Sequence, residues 1–137
     1  MKASRVVLWG AVIAVSVAPL LAVVSQADAA DAKARCRVGV NPARVQISVG
    51  ANNLAAGTAQ FQVTAGGNVS STLIAKVDAL GDAAAEWDSA IAVGDKAEGV
   101  RGSIAADFVG LKGTVTATVA QPGLGVVATA VATCGAK

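Results

Sequence analysis

The chain has 137 residues, 54% of them hydrophobic and only 3% aromatic, with a formal net charge of +2 and no histidine. The missing histidine excludes Ser–His and Cys–His nucleophile activation, histidine general bases and the usual zinc sites. The small net charge gives no electrostatic footing for nucleic acid or an anionic membrane.

Lys2 and Arg5 open the chain, and an apolar run from Val6 to Val24 follows, interrupted by Pro19. Small residues between Ser25 and Ala29 then stand at cleavage spacing. This is the layout of a helical secretory signal peptide over residues 1–30. The run approaches membrane-spanning length, but Pro19 and the small residues after it favour cleavage. No cysteine follows it directly, so a bacterial lipid anchor is not expected. Cleavage leaves about 107 to 110 residues, a common size for one domain, here 31–137. Lys2 and Arg5 leave with the leader, so nine cationic residues face nine anionic ones in the rest, or eight once Asp28 leaves as well.

Asp31 to Arg35 reads as a short lead. Cys36, Val38 and Val40 then share one face of a first strand, with Arg35 and Arg37 on the other. Asn41-Pro42 breaks it. Val45, Ile47 and Val49 alternate with Arg44, Gln46 and Ser48, which predicts a second strand. Residues 50–57, GANNLAAG, form a loop. The third strand runs over 58–64, with Phe61 and Val63 inward and Gln60, Gln62 and Thr64 outward. A turn at 65–68 leads to a fourth strand over 69–77. After a turn around Gly81-Asp82, residues 84–88 form a short strand. Residues 89–112 carry the weakest pattern: Ile91 and Val93 fit a strand edge, and 103–109 fits either a strand or a helical turn. The strongest hairpin signal follows. Thr114, Thr116 and Thr118 alternate with Val115, Ala117 and Val119, Gln121 to Gly125 is turn chemistry, and Val126 to Thr133 is β-prone.

Turn signals thus recur every 8 to 12 residues between short strands, as in an antiparallel sandwich or small barrel. Abundant alanine favours helix, but no 3.6-residue stripe is sustained beyond the leader. The only cysteines, Cys36 and Cys134, lie 98 positions apart in the exported part. Two cysteines in a secreted domain predict one disulfide. Closing a loop of that length contributes about 4 to 5 kcal/mol in the chain-entropy account.

The stretch Val45–Thr64, VQISVGANNLAAGTAQFQVT, resembles the opening hairpin of bacterial immunoglobulin-like modules. The resemblance rests on Val45/Ile47/Val49, Gly50, Asn53-Leu54, Gly57 and the Phe61/Val63 pair. As a strand pattern it extends over Cys36 to Cys134. It implies an all-β fold, a single antiparallel immunoglobulin-like β-sandwich of about seven to eight strands. The chain departs from the antibody pattern. Its cysteines sit on the first and last strands, Trp87 is not flanked by them at the usual spacing, and no tyrosine exists for a tyrosine corner. No functional residue carries over.

Several features bear on chemistry. Glu86 and Asp88 fall on one strand face, a spacing compatible with the carboxylate pair of a small hydrolase. Sugar sites also want aromatic platforms, and the exported part has only one Trp and two Phe, expected in the core, so a solvated strand face is the expectation. Asp82, Glu86 and Asp88 are the calcium candidates, although no EF-hand spacing is present. Lys33, Arg35 and Arg37 form a basic cluster, either a docking element or the charges that protect an edge strand. The Thr114/Thr116/Thr118 row has counterparts in ice-binding proteins and is also ordinary β composition. Asn68-Val69-Ser70 is a glycosylation sequon, relevant only in a eukaryote, and the Ala/Gly/Val bias looks bacterial. Trp87 is a core anchor or an exposed recognition residue within 81–102.

The sequence therefore points to a secreted or periplasmic, non-enzymatic β-sandwich with no cofactor. Its expected partner is another protein or an envelope component, with no nucleic acid and no stable membrane insertion once the leader is removed. A pilus-like or surface-layer-like assembly subunit is the alternative.

Overall fold

The computed structural model describes residues 29–92, 94–97 and 99–137. The predicted leader lies almost wholly outside these residues, as does Val93. Ten strands form: β1 Asp31–Val40, β2 Ala43–Asn52, β3 Thr58–Ala65, β4 Asn68–Val69, β5 Leu73–Lys76, β6 Ala83–Asp88, β7 Val100–Ser103, β8 Thr114–Gln121, β9 Gly125–Thr133 and β10 Gly135–Ala136. They build two sheets, one in the order β10-β1-β2-β6-β7, the other β4-β3-β8-β9 with β5 paired to β3. The protein is an all-β sandwich.

The period-two patterns decide which faces meet. Val45, Ile47, Val49 and Ala51 of β2 pack against Ala59, Phe61 and Val63 of β3 and Val115, Ala117 and Val119 of β8, all in one buried cluster. Trp87 lies in that cluster, fully buried, and its Nε1–H donates to the Ser71 carbonyl at 3.1 Å. It is therefore a core residue, which corrects the recognition role considered for it. Buried Gln121 ties the 50–57 loop to the body: its amide donates to the Ala55 and Thr58 carbonyls at 2.8 and 3.2 Å, and its Oε1 accepts from Ala55 N–H at 3.0 Å.

The structure departs from the sequence expectations in several places, among them the strand count, ten among the described residues against seven to eight, and residues 50–52, which extend β2 where a loop was expected. Asp31–Arg35 is not a lead, because Asp31 to Cys36 already pair with β2 from Asn52 to Ile47. The expected strand over 69–77 is broken between β4 and β5. There Ser70 turns inward, its Oγ accepting from Val63 N–H at 3.0 Å. Residues 104–110 form neither strand nor helix. Phe108 N–H closes a turn on the Ala105 carbonyl at 3.1 Å, and Phe108 fills the core rim. No strand forms at Ile91. Finally, the sandwich is not wholly antiparallel, since β10 pairs with β1 and β7 with β6 in parallel.

The two parallel pairings have topological causes. After β9 the chain leaves the second sheet at Cys134, which bonds to Gly113 and Lys112 backbone at 2.8 Å each. It then joins the edge of the first sheet as β10. Cys134 and Cys36 form a disulfide at this crossing, so the bridge links β1 to the chain just beyond β9. For β7 to run parallel to β6, the connection 89–99 must return the length of β6. Gly99, at φ +81°, sits so close to β6 that an added Cβ would lie 2.0 Å from the Ala84 carbonyl oxygen.

Candidate functional site: the outward face of the first sheet

Cross-strand register arranges this face in three rows. Lys33 stands opposite Gly50, which stands opposite Ala84. Arg35, Ser48, Glu86 and Arg101 form the next row, and Arg37, Gln46, Asp88 and Ser103 the third. Cations thus occupy β1, small or polar residues β2, carboxylates β6, and Arg101 β7.

The carboxylates are not solvated, contrary to the sequence expectation. Glu86 and Asp88 are each only 1% exposed. The face supplies their partners. Arg44 grips Asp88 with two hydrogen bonds, Nε at 3.0 Å and Nη2 at 2.7 Å. Asp88 Oδ1 also accepts from Ala90 N–H at 2.9 Å. Gln46 donates to Glu86 Oε2 at 2.6 Å and accepts from Lys137 Nζ at 2.8 Å. Arg101 approaches Glu86 Oε1 at 3.9 Å and donates to the Asp95 carbonyl at 3.4 Å. The Arg44 hydrogen bonds hold the Asp88 carboxyl below the usual carboxylate range, outweighing the upward push of burial. The same contact raises Arg44.

Beside this closed network lies an open trough. A hollow of about 540 Å³ is bordered by Lys33, Gly50, Lys76, Asp82, Ala84 and Gly99 among others. A second, of about 360 Å³, shares Lys33 and Gly50 with it and continues to Arg35 and Ser48. A third, of about 230 Å³, shares Arg35 and Ser48 and ends at Arg37 and Gln46. The three adjoin one another along β1 and β2, sharing Lys33 and Gly50 and then Arg35 and Ser48. A Cβ built on Gly50 would meet nothing within 4 Å. The exposed side chains of Lys33, Arg35 and Arg37 stand along one wall.

The predicted site residues are thus distributed as follows. Lys33, Arg35 and Arg37 line the trough. Asp82 lies at its wide end, while Glu86 and Asp88 are held within the network. Among the described residues, no three Asp, Glu or Cys side chains are grouped to hold a metal ion. Sequence reasoning missed Gly50 and Ser48 as the floor, and Arg44 and Arg101 as partners of the carboxylates. The alternation of Arg44, Gln46 and Ser48 placed them on an outward face, but strand order alone decides what they meet.

No family model and no curated protein matches the chain. Among solved structures, it is similar to the CARDB domain of a Pyrococcus furiosus protein, crystallised in complex with di-metal ions. The TM-score is 0.43 and the identity 12%, over 79% of this chain and 94% of that one. No residue role and no ligand is carried over from that domain.

Proposed function

We propose that this chain is an exported, non-enzymatic binding module of the cell envelope or extracellular space. Its partner is a protein or envelope component that presents an extended, acidic stretch to the trough on the first sheet. The observation that carries this reading is the row Lys33, Arg35 and Arg37 beside an open floor of Gly50 and Ser48. Charges aligned along a strand at about 7 Å intervals suit a ligand that is itself extended. The absence of histidine and the enclosure of Glu86 and Asp88 by cations support a non-enzymatic role. The disulfide is compatible with an oxidising, extracytoplasmic compartment.

Titration with a synthetic peptide alternating Asp with Val tests the reading. We expect saturable binding that weakens as salt rises and is lost in the triple variant Lys33→Ser, Arg35→Ser, Arg37→Ser. Gly50→Val places its Cβ where nothing lies within 4 Å, and should abolish binding while raising stability by about 0.5 to 1 kcal/mol, because glycine weakens a strand interior. Absence of binding at low salt, or binding indifferent to Gly50→Val, would reject it.

A further inference from the structure

The wide end of the trough differs from the rest by one carboxylate. On β6, Glu86 and Asp88 are buried and matched by Gln46, Arg101 and Arg44. Asp82 comes immediately before that strand and borders the wide hollow together with Ala84. Ala84 parts it from the network, because a methyl group carries no hydrogen bond onward. Asp82 is half-buried, and among the described residues nothing bonds or pairs with its carboxylate. Its backbone, by contrast, is held twice. Its N–H donates to Asp78 Oδ1 and its carbonyl accepts from Asp78 N–H, both at 2.9 Å. The position of this carboxylate is therefore fixed while its charge is left unmatched, and a half-buried charge favours a partner of opposite sign.

Three other charged groups border the same hollow. Lys33 on β1 and Lys76 on β5 are exposed. Asp78 commits its Oδ1 to the N–H groups of Leu80 and Asp82 at 2.9 Å each. Two strand spacings separate β1 from β6 through Gly50, so the Lys33 and Ala84 backbones lie about 10 Å apart. The hollow of about 540 Å³ falls within the usual size of a ligand site. A row of cations alone would suit a ligand that is acidic throughout. A carboxylate at one end of the row opposes such a ligand there and favours one that finishes in a cation.

We infer that the acidic stretch bound in the trough ends in a primary ammonium, which sits on Asp82, while its carboxylates meet Lys76, Lys33, Arg35 and Arg37 in turn. This rests on the trough reading and gives the ligand a polarity: its cationic end lies at the wide hollow. A free amino terminus and a lysine side chain supply the same chemistry.

The test uses the exported protein and four peptides at low salt. The first is an Asp-Val repeat acetylated and amidated at its ends. The second is the same repeat with a free amino terminus, and the third and fourth are capped repeats with lysine at the first or the last position, each compared with its glutamine counterpart. Added positive charge weakens attraction to the basic row, so the row alone predicts looser binding of every ammonium peptide. With Asp82 as its seat, at least one ammonium peptide should bind about three- to fivefold tighter than its neutral counterpart. The peptide that gains identifies the source of the ammonium. The gain should vanish in Asp82→Asn, which keeps the backbone bonds to Asp78 and whose fold circular dichroism checks. If the capped repeat binds but no ammonium tightens it, or the gain survives Asp82→Asn, this inference is overturned and the trough reading stands. If none of the peptides binds, the trough reading fails and the inference with it.

Discussion

Asp88 shows how one residue's surroundings set a property of the whole. Its carboxylate is buried and bonded to Arg44, Ala90 N–H and little else. Removing its cation by Arg44→Met leaves a buried charge with only the Ala90 N–H bond and the field of Lys137 to offset it. The guanidinium is 28% exposed, so the loss should fall below that of a fully buried pair, at about 2 to 4 kcal/mol by urea denaturation. The pair also predicts an acid limb. A lowered carboxyl value means the unfolded chain binds the proton first, so the contribution is full above the ordinary 3.8 and is lost as pH falls through the lowered folded value. Wild-type stability should fall through that window, and Arg44→Met should show a flatter profile there. Gly99 is the backbone counterpart. Ala at this position meets both a left-handed φ and the Ala84 carbonyl, and Gly99→Ala should cost about 2 to 5 kcal/mol. An unchanged urea midpoint would mean that the connection does not lie on β6 as described.

At the scale of elements, the sequence was most legible where one strand meets one core. The alternation in β2, β3 and β8 marked their inward residues correctly, because period two needs only a buried face to be readable. It was least legible where an element's fate depends on what covers it. Glu86 and Asp88 look like a solvated face, yet both are buried among Arg44, Gln46 and Arg101, which strand order brings to them. Val69 to Val77 alternates like one strand, yet Ser70 turns in to bond Val63 and breaks it. The basic row on β1 was readable as charge, but its position beside Gly50 follows from β1–β2 register and the open end near Asp82. The disulfide was readable from the cysteine count together with the expected export. Cys36→Ala with Cys134→Ala should lower stability by about 4 kcal/mol, given the 98-residue separation. A free-thiol assay on the denatured, unreduced wild type should find none.

At the scale of the whole molecule, the two sheets divide the work. The first carries charge on its outward face and holds the trough. The second carries Gln60, Gln62, Thr64 and the Thr114/Thr116/Thr118 row outward. On this account a partner is bound by the first sheet. The most direct measurement is photo-crosslinking in the protein's own source, with a crosslinking amino acid at Ser48 in the trough and, separately, at Gln62 on the second sheet. The account predicts a discrete heavier adduct from Ser48, absent when Lys33, Arg35 and Arg37 are replaced by serine, and no such adduct from Gln62. No adduct from Ser48, or the same adduct from both positions, would contradict it.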